Sequence, residues 1–110
     1  MAFVKIASVG EIAPGSMKKS IIGGKEYLVV NLGGKFYTMD NRCAHMQGDL
    51  SAGTLEGNIV TCPRHGSQYD VTNGKGLRGP KIVLARLAPY TMRAYETRVE
   101  GESVMADIQT

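Results

Sequence analysis

Asn41-Arg42-Cys43-Ala44-His45-Met46-Gln47-Gly48-Asp49-Leu50 and Cys62-Pro63-Arg64-His65-Gly66-Ser67-Gln68-Tyr69-Asp70 decide how this 110-residue chain is read, because together they hold both of its cysteines and both of its histidines. Each stretch contributes one thiol and one imidazole, as Cys43-Ala44-His45 and as Cys62-Pro63-Arg64-His65. Residue types this rare, paired twice within short strings, point to a shared bound metal. Thiolate and imidazole together suit zinc, copper or an iron–sulfur cluster, and the pairing alone does not choose among them. A zinc finger normally places two cysteines in one half-site and two histidines in the other, whereas here each half-site carries one of each.

An alternating order of this kind fits a cluster whose one iron sits on two thiolates and whose other iron sits on two imidazoles. The residues around the four candidates strengthen that reading, since 41–50 and 62–70 resemble the two cluster loops of Rieske proteins. The lead-in from Val9 to Asp40, the Gly79-Pro80 pair and the ending from Tyr95 to Asp107 are similar to small Rieske-type ferredoxins, with the weakest likeness over Lys81 to Ala94. The resemblance implies an all-β fold, a Rieske-type antiparallel β sandwich with an inserted cluster-binding subdomain. The base would span about 1–40 and 81–110 and the subdomain about 41–80 of a single domain. It further implies one Rieske-type [2Fe-2S] cluster, with Cys43, His45, Cys62 and His65 as its ligands.

The pattern between the glycines agrees with strands. Phe3 to Val9, Glu26 to Leu32 and Lys35 to Met39 are rich in β-branched or alternating apolar residues. Gly23-Gly24 and Gly33-Gly34 suit tight hairpins, and Gly57-Asn58 can turn Thr54 to Glu56 into Ile59 to Thr61. A final pair is expected from Tyr95 to Val99 and Ser103 to Ile108, joined by Glu100-Gly101-Glu102. Gly53 and Gly66 are placed where backbones must approach closely around the ligand loops.

Composition bounds the rest. A 110-residue chain is one domain with a modest core. No run approaches the ~20 apolar residues that span a bilayer, and Met1 to Ile6 lacks the apolar core of a secretory signal. A membrane span is therefore not expected, and a cytoplasmic protein is. Two cysteines could form one disulfide in an oxidising compartment, but not once both are committed to iron. The formal net charge is +3, with Arg42, Arg64, Lys75, Arg78, Lys81 and Arg86 gathered in the ligand-bearing half and at its exit. Of these, Arg42, Arg64, Arg78 and Lys81 are candidates for docking an acidic redox partner. A nucleic-acid partner is not expected, for want of a recognition motif or an aromatic-interleaved basic stripe.

The family's subclasses can be separated by single positions. Members in quinol-oxidising membrane complexes carry an extra cysteine in each cluster loop, joined as a disulfide, where this chain has Gly48 and Arg64. Ser67 and Tyr69 stand where high-potential members place hydroxyls near the cluster sulfurs, which raises the reduction potential. The resemblance thus implies a potential intermediate within the roughly −150 to +300 mV Rieske span. Met46, Gly79 and Pro80 match positions that shield the cluster from water. The expected function is that of a one-electron carrier between a reductase and a terminal oxygenase or other acceptor. The alternatives are a small Rieske-like subunit of a reductase such as nitrite reductase, and a zinc-binding interaction module. Catalysis by the chain itself is not expected, because its cysteines and histidines are all taken by the cluster and none remains for a nucleophile, a base or a mononuclear iron.

Overall fold

A computed structural model of the protein describes residues 2–42, 48–64, 66–79, 81–82, 85–86 and 91–108. The paired glycines set its hairpins. Gly23 and Gly24 both have positive φ, 58° and 81°, the geometry of the tight turns that match strand twist. They join β2, Ser16–Ile22, to β3, Lys25–Leu32, and the next glycine pair joins β3 to β4, Lys35–Asp40. With β1, Phe3–Ser8, ahead of them, these are the long strands.

The middle of the chain makes a smaller antiparallel sheet. Its strands are β5, Thr54–Glu56, β6, Ile59–Thr61, β7, Gln68–Asp70, and β8, Gly76–Arg78, paired in that order. A two-stranded ribbon of β9, Lys81–Ile82, and β10, Ala85–Arg86, follows. The chain then returns as β11, Ala94–Tyr95, β12, Thr97–Glu100, and β13, Ser103–Asp107. Two further sheets result, ordered β11-β4-β3-β2 and β1-β13-β12.

β3 lies in the centre of the stack, because its alternate side chains enter two different cores. Leu28 and Val30 pack with Leu50, Val60, Cys62, Tyr69 and Val71 from the small sheet and its loops. Tyr27 and Val29 pack with Ile6, Val104, Ala106 and Ile108 from the outer sheet. A strand buried on both faces should read as a continuous apolar run rather than an alternation, and Tyr27-Leu28-Val29-Val30 does so. The all-β antiparallel fold is as the sequence implied, with one sheet serving both the base sandwich and the insert.

The ending departs from expectation. Tyr95 to Val99 does not form one strand: Ala94 and Tyr95 pair with Met39 and Thr38 of β4, while Thr97–Glu100 pairs with β13. The reason is the Tyr95 phenol, which donates to Asp40 Oδ1 at 2.6 Å and accepts from Lys25 Nζ at 3.1 Å. This holds residue 95 on the middle sheet, so the chain crosses to the outer sheet at Glu96. The last turn is also shorter than expected, since Glu100 pairs with Ser103 and leaves only Gly101 and Glu102 between them. β13 ends at Asp107, and the Ile108 amide donates to the Ala2 carbonyl at 3.1 Å, next to the Phe3–Asp107 pair of the β1–β13 ladder.

The weakly matched stretch before β11 ends in a strap. The Met92 amide donates to Gly74 O at 2.7 Å, the Asp40 amide donates to Arg93 O at 3.0 Å, and the Met92 side chain is buried in the core shared by the small and middle sheets. Residues 92 and 93 therefore tie the turn after β7 to the end of β4, from which the first ligand string departs.

Candidate metal centre

Thr61 delivers Cys62 from the end of β6, and the second ligand string is closed by its own backbone. The Cys62 amide donates to Ser67 O at 2.8 Å, and the Gly66 amide donates to Cys62 O at 3.2 Å. Gly66 has φ of 77°, a conformation that costs a side-chain-bearing residue energy, so a glycine is needed to turn the chain back. Cys62 is buried in the core with Tyr69 and Val60. Cys43, His45, Met46, His65 and Pro80, also expected in the site, lie outside the described residues.

The first ligand string is closed at its ends. Arg42 and Asp49 form an antiparallel bridge, and the Leu50 amide donates to Asn41 O at 3.0 Å. Asn41 is fully buried and its amide is used on every side: Nδ2 donates to Glu26 Oε1 at 3.0 Å and to Asp49 Oδ1 at 2.8 Å, and Oδ1 accepts from the Ser51 amide at 2.9 Å. Asp49 Oδ1 also accepts from Ser51 Oγ at 2.5 Å, and Asp49 Oδ2 accepts from Lys19 Nζ at 3.1 Å. Partial burial by itself pushes the Asp49 carboxyl up, but the hydrogen bonds from Ser51, Asn41 and Lys19 together hold it well below the usual carboxylate range. This polar group was not read from the sequence. Asp49-Leu50-Ser51 is a local signal for a capped turn at Leu50–Ala52, but nothing local joins it to Lys19 and Glu26.

Gly53 brings the two strings together. A Cβ there would sit 2.0 Å from the Thr61 carbonyl oxygen, immediately before Cys62, so only glycine permits this approach. The expected close approach is present at Gly53, while at Gly66 the finding is a positive φ that turns the chain.

Ser67 tests whether the site suits a cluster. Its residue is 1% exposed, and its Oγ is buried with no hydrogen-bond partner among the described residues. An unsatisfied buried hydroxyl costs about 1–3 kcal/mol. A buried hydroxyl on the residue whose carbonyl accepts from the Cys62 amide suits an acceptor such as a cluster sulfur, so the donor set fits the group. Tyr69 is equally buried, and Gly79 is buried at the end of β8. Arg64, Lys75 and Arg78 are exposed. Arg42 is also exposed, but its Nη2 donates to Glu26 Oε2 at 3.0 Å, so its charge is partly offset. Lys81 is described through its place in β9.

The fold and the closed Cys62 string define a class: small antiparallel β domains in which an inserted sheet carries an iron–sulfur cluster. The chain matches the Rieske [2Fe-2S] domain over residues 2–91 and belongs to that family. It is 34% identical over 109 residues to the ferredoxin component of biphenyl 2,3-dioxygenase from Rhodococcus jostii (strain RHA1), covering 99% of this chain and 95% of that protein. Its fold is similar to the ferredoxin of carbazole 1,9a-dioxygenase from Nocardioides aromaticivorans IC177, with a TM-score of 0.80 and 26% identity over 96% of this chain and 97% of that one. A chain in a complex of reduced oxygenase and oxidised ferredoxin in carbazole 1,9a-dioxygenase matches with a TM-score of 0.78 and 26% identity, covering 94% of this chain and 91% of that one.

The cofactor is accordingly a Rieske-type [2Fe-2S] cluster, and the protein is an electron carrier of the ferredoxin type rather than a catalyst in its own right. No helix among the described residues is long and apolar enough to cross a membrane.

Proposed function

We propose that the chain carries single electrons from a reductase to the terminal oxygenase of an aromatic-ring dioxygenase system, working in the cytoplasm. Similarity to a dioxygenase ferredoxin component over nearly the full length of both chains carries this reading. In it, Cys43 and Cys62 hold one iron and His45 and His65 the other, within a subdomain of about 41–80 set on the base formed by the remaining residues. When bound, the cluster supplies a reversible one-electron store, easier to reduce than a four-cysteine cluster because two neutral imidazoles replace two anionic thiolates.

The chain's residues prepare that store. Ser67, whose carbonyl accepts from the Cys62 amide, holds a buried hydroxyl without a partner among the described residues, and Tyr69 brings a phenol into the same core as Cys62. Hydrogen bonds from both toward sulfur favour the reduced state and place the potential in the middle of the Rieske span. Met46, Gly79 and Pro80 keep water away, and the burial of Gly79 accords with that role. Arg42, Arg64, Arg78 and Lys81 meet an acidic partner, the charge of Arg42 being partly offset by Glu26. Exposed charges of this kind speed encounter more than they tighten the complex.

The test is anaerobic mixing of the reduced protein with an oxidised terminal oxygenase of the biphenyl or naphthalene type. One electron per chain is expected to pass, with a second-order rate that falls as salt rises. An oxygenase that stays oxidised would refute the assignment, and a salt-independent rate would remove the basic docking surface from it.

A further inference from the structure

The first ligand string leaves the middle sheet at Asn41 and rejoins described structure at Gly48, and a single carboxylate stands between these ends. Asp49 Oδ1 takes hydrogen bonds from Asn41 Nδ2 on one side and from the Ser51 amide and hydroxyl on the other. Asp49 Oδ2 reaches away from both, to Lys19 Nζ at 3.1 Å on β2, the edge strand of the middle sheet. Lys19 is also 3.9 Å from Glu26, the carboxylate that holds Asn41 and Arg42. The two ends of the string are thus connected by side chains to each other and to a strand that bears no ligand. The Asp49 side chain is 26% exposed, so its bonds are only partly screened by water.

We propose that Asp49 is the positioning residue of the first ligand loop: it joins the loop's two ends and, through Lys19, fixes them to the middle sheet, and so governs how firmly the protein retains iron. The proposal rests on Cys43 and His45 being ligands. It differs from a mere turn-capping role, which asks only for an acceptor near the Ser51 amide. Asn at position 49 keeps that acceptor and loses the charge that Lys19 engages. Residues that orient metal ligands typically change metal affinity by about 10–100-fold when altered.

The experiment is iron release from the cluster-loaded protein to an excess of chelator, followed by loss of visible absorbance, together with amide hydrogen exchange. Asp49→Asn and Lys19→Met are each expected to release iron about 10–100-fold faster than wild type. The double variant should be no faster than the faster single one, because both remove the same link. Exchange at Leu50 and Ser51 should quicken in step, while exchange in β3 stays as in wild type. Asp49→Ala should be faster still; if it fails to fold, the two milder variants carry the test. Wild-type release rates in both milder variants would overturn the proposal, as would an increase matched by equal loss of protection in β3, which is general unfolding. A reduced wild-type protein whose spectrum shows no imidazole nitrogen would overturn the ligand reading instead, and the Leu50 and Ser51 amides would then decide by themselves whether Asp49 holds the loop.

Discussion

Ser67 is the residue at which fold and redox function meet most closely. A hydroxyl that is buried without a partner among the described residues is a cost to the fold, and it is offset if the same hydroxyl donates to a cluster sulfur. A hydrogen bond to a charged acceptor is worth about 1.5–3 kcal/mol, equivalent to roughly 60–130 mV for a one-electron couple. Only the part of that bond gained on reduction moves the potential, so Ser67→Ala should lower it by up to about this amount, with Tyr69→Phe lowering it in the same direction. Protein-film voltammetry on the two variants measures it; unchanged potentials would leave Ser67 as a turn residue and Tyr69 as a core aromatic. These two positions were legible in the sequence because the resemblance assigns them. Asn41 was not, since its three side-chain partners come from Glu26, Asp49 and Ser51, and no periodicity encodes a buried amide that bridges distant positions.

At the scale of elements, local signals and long-range constraints separate cleanly. The hairpin of β5 and β6 falls where Gly57-Asn58 places it, because a two-residue turn fixes its own strands. β7 and β8 are harder to read because each has only three residues, and the strap at 92–93 because its partners, Gly74 and Asp40, lie far along the chain. The division of Tyr95 from Thr97 has the same origin, as Tyr95 answers to Asp40 and Lys25 rather than to its own strand. Gly74 shows what the strap demands: its φ is 77°, and a Cβ would lie 2.2 Å from the Met92 carbonyl oxygen. Gly74→Ala is expected to destabilise the protein by more than about 1 kcal/mol, since a strained φ and a backbone collision combine. Urea unfolding of the loaded protein checks this, and a midpoint equal to wild type would mean that the strap is not rigid.

The whole molecule stacks an outer sheet and an inserted sheet on the two faces of one middle sheet, and charged side chains brace that stack near the ligand loops. Asp49 is held below the ordinary aspartate value of 3.8 despite the opposing effect of burial. Asp70 is likewise pushed up by partial burial but lowered overall by Thr72, Asn58 and Lys75. A depressed folded value contributes stability that is complete above the ordinary carboxylate value and is lost as pH falls through the folded one. Resistance to denaturant should therefore be level near neutrality and drop below about pH 4, less steeply in Asp49→Asn. Equilibrium unfolding across pH measures this, and stability that grows on acidification would contradict it.

The central claim is that one cluster is shared between two thiolates and two imidazoles. Because His45 and His65 are the chain's two histidines, nitrogen-15 histidine labels those positions and no others. Electron–nuclear double resonance on the reduced, labelled protein should show strong coupling to two imidazole nitrogens. A reduced cluster without such coupling would contradict the account.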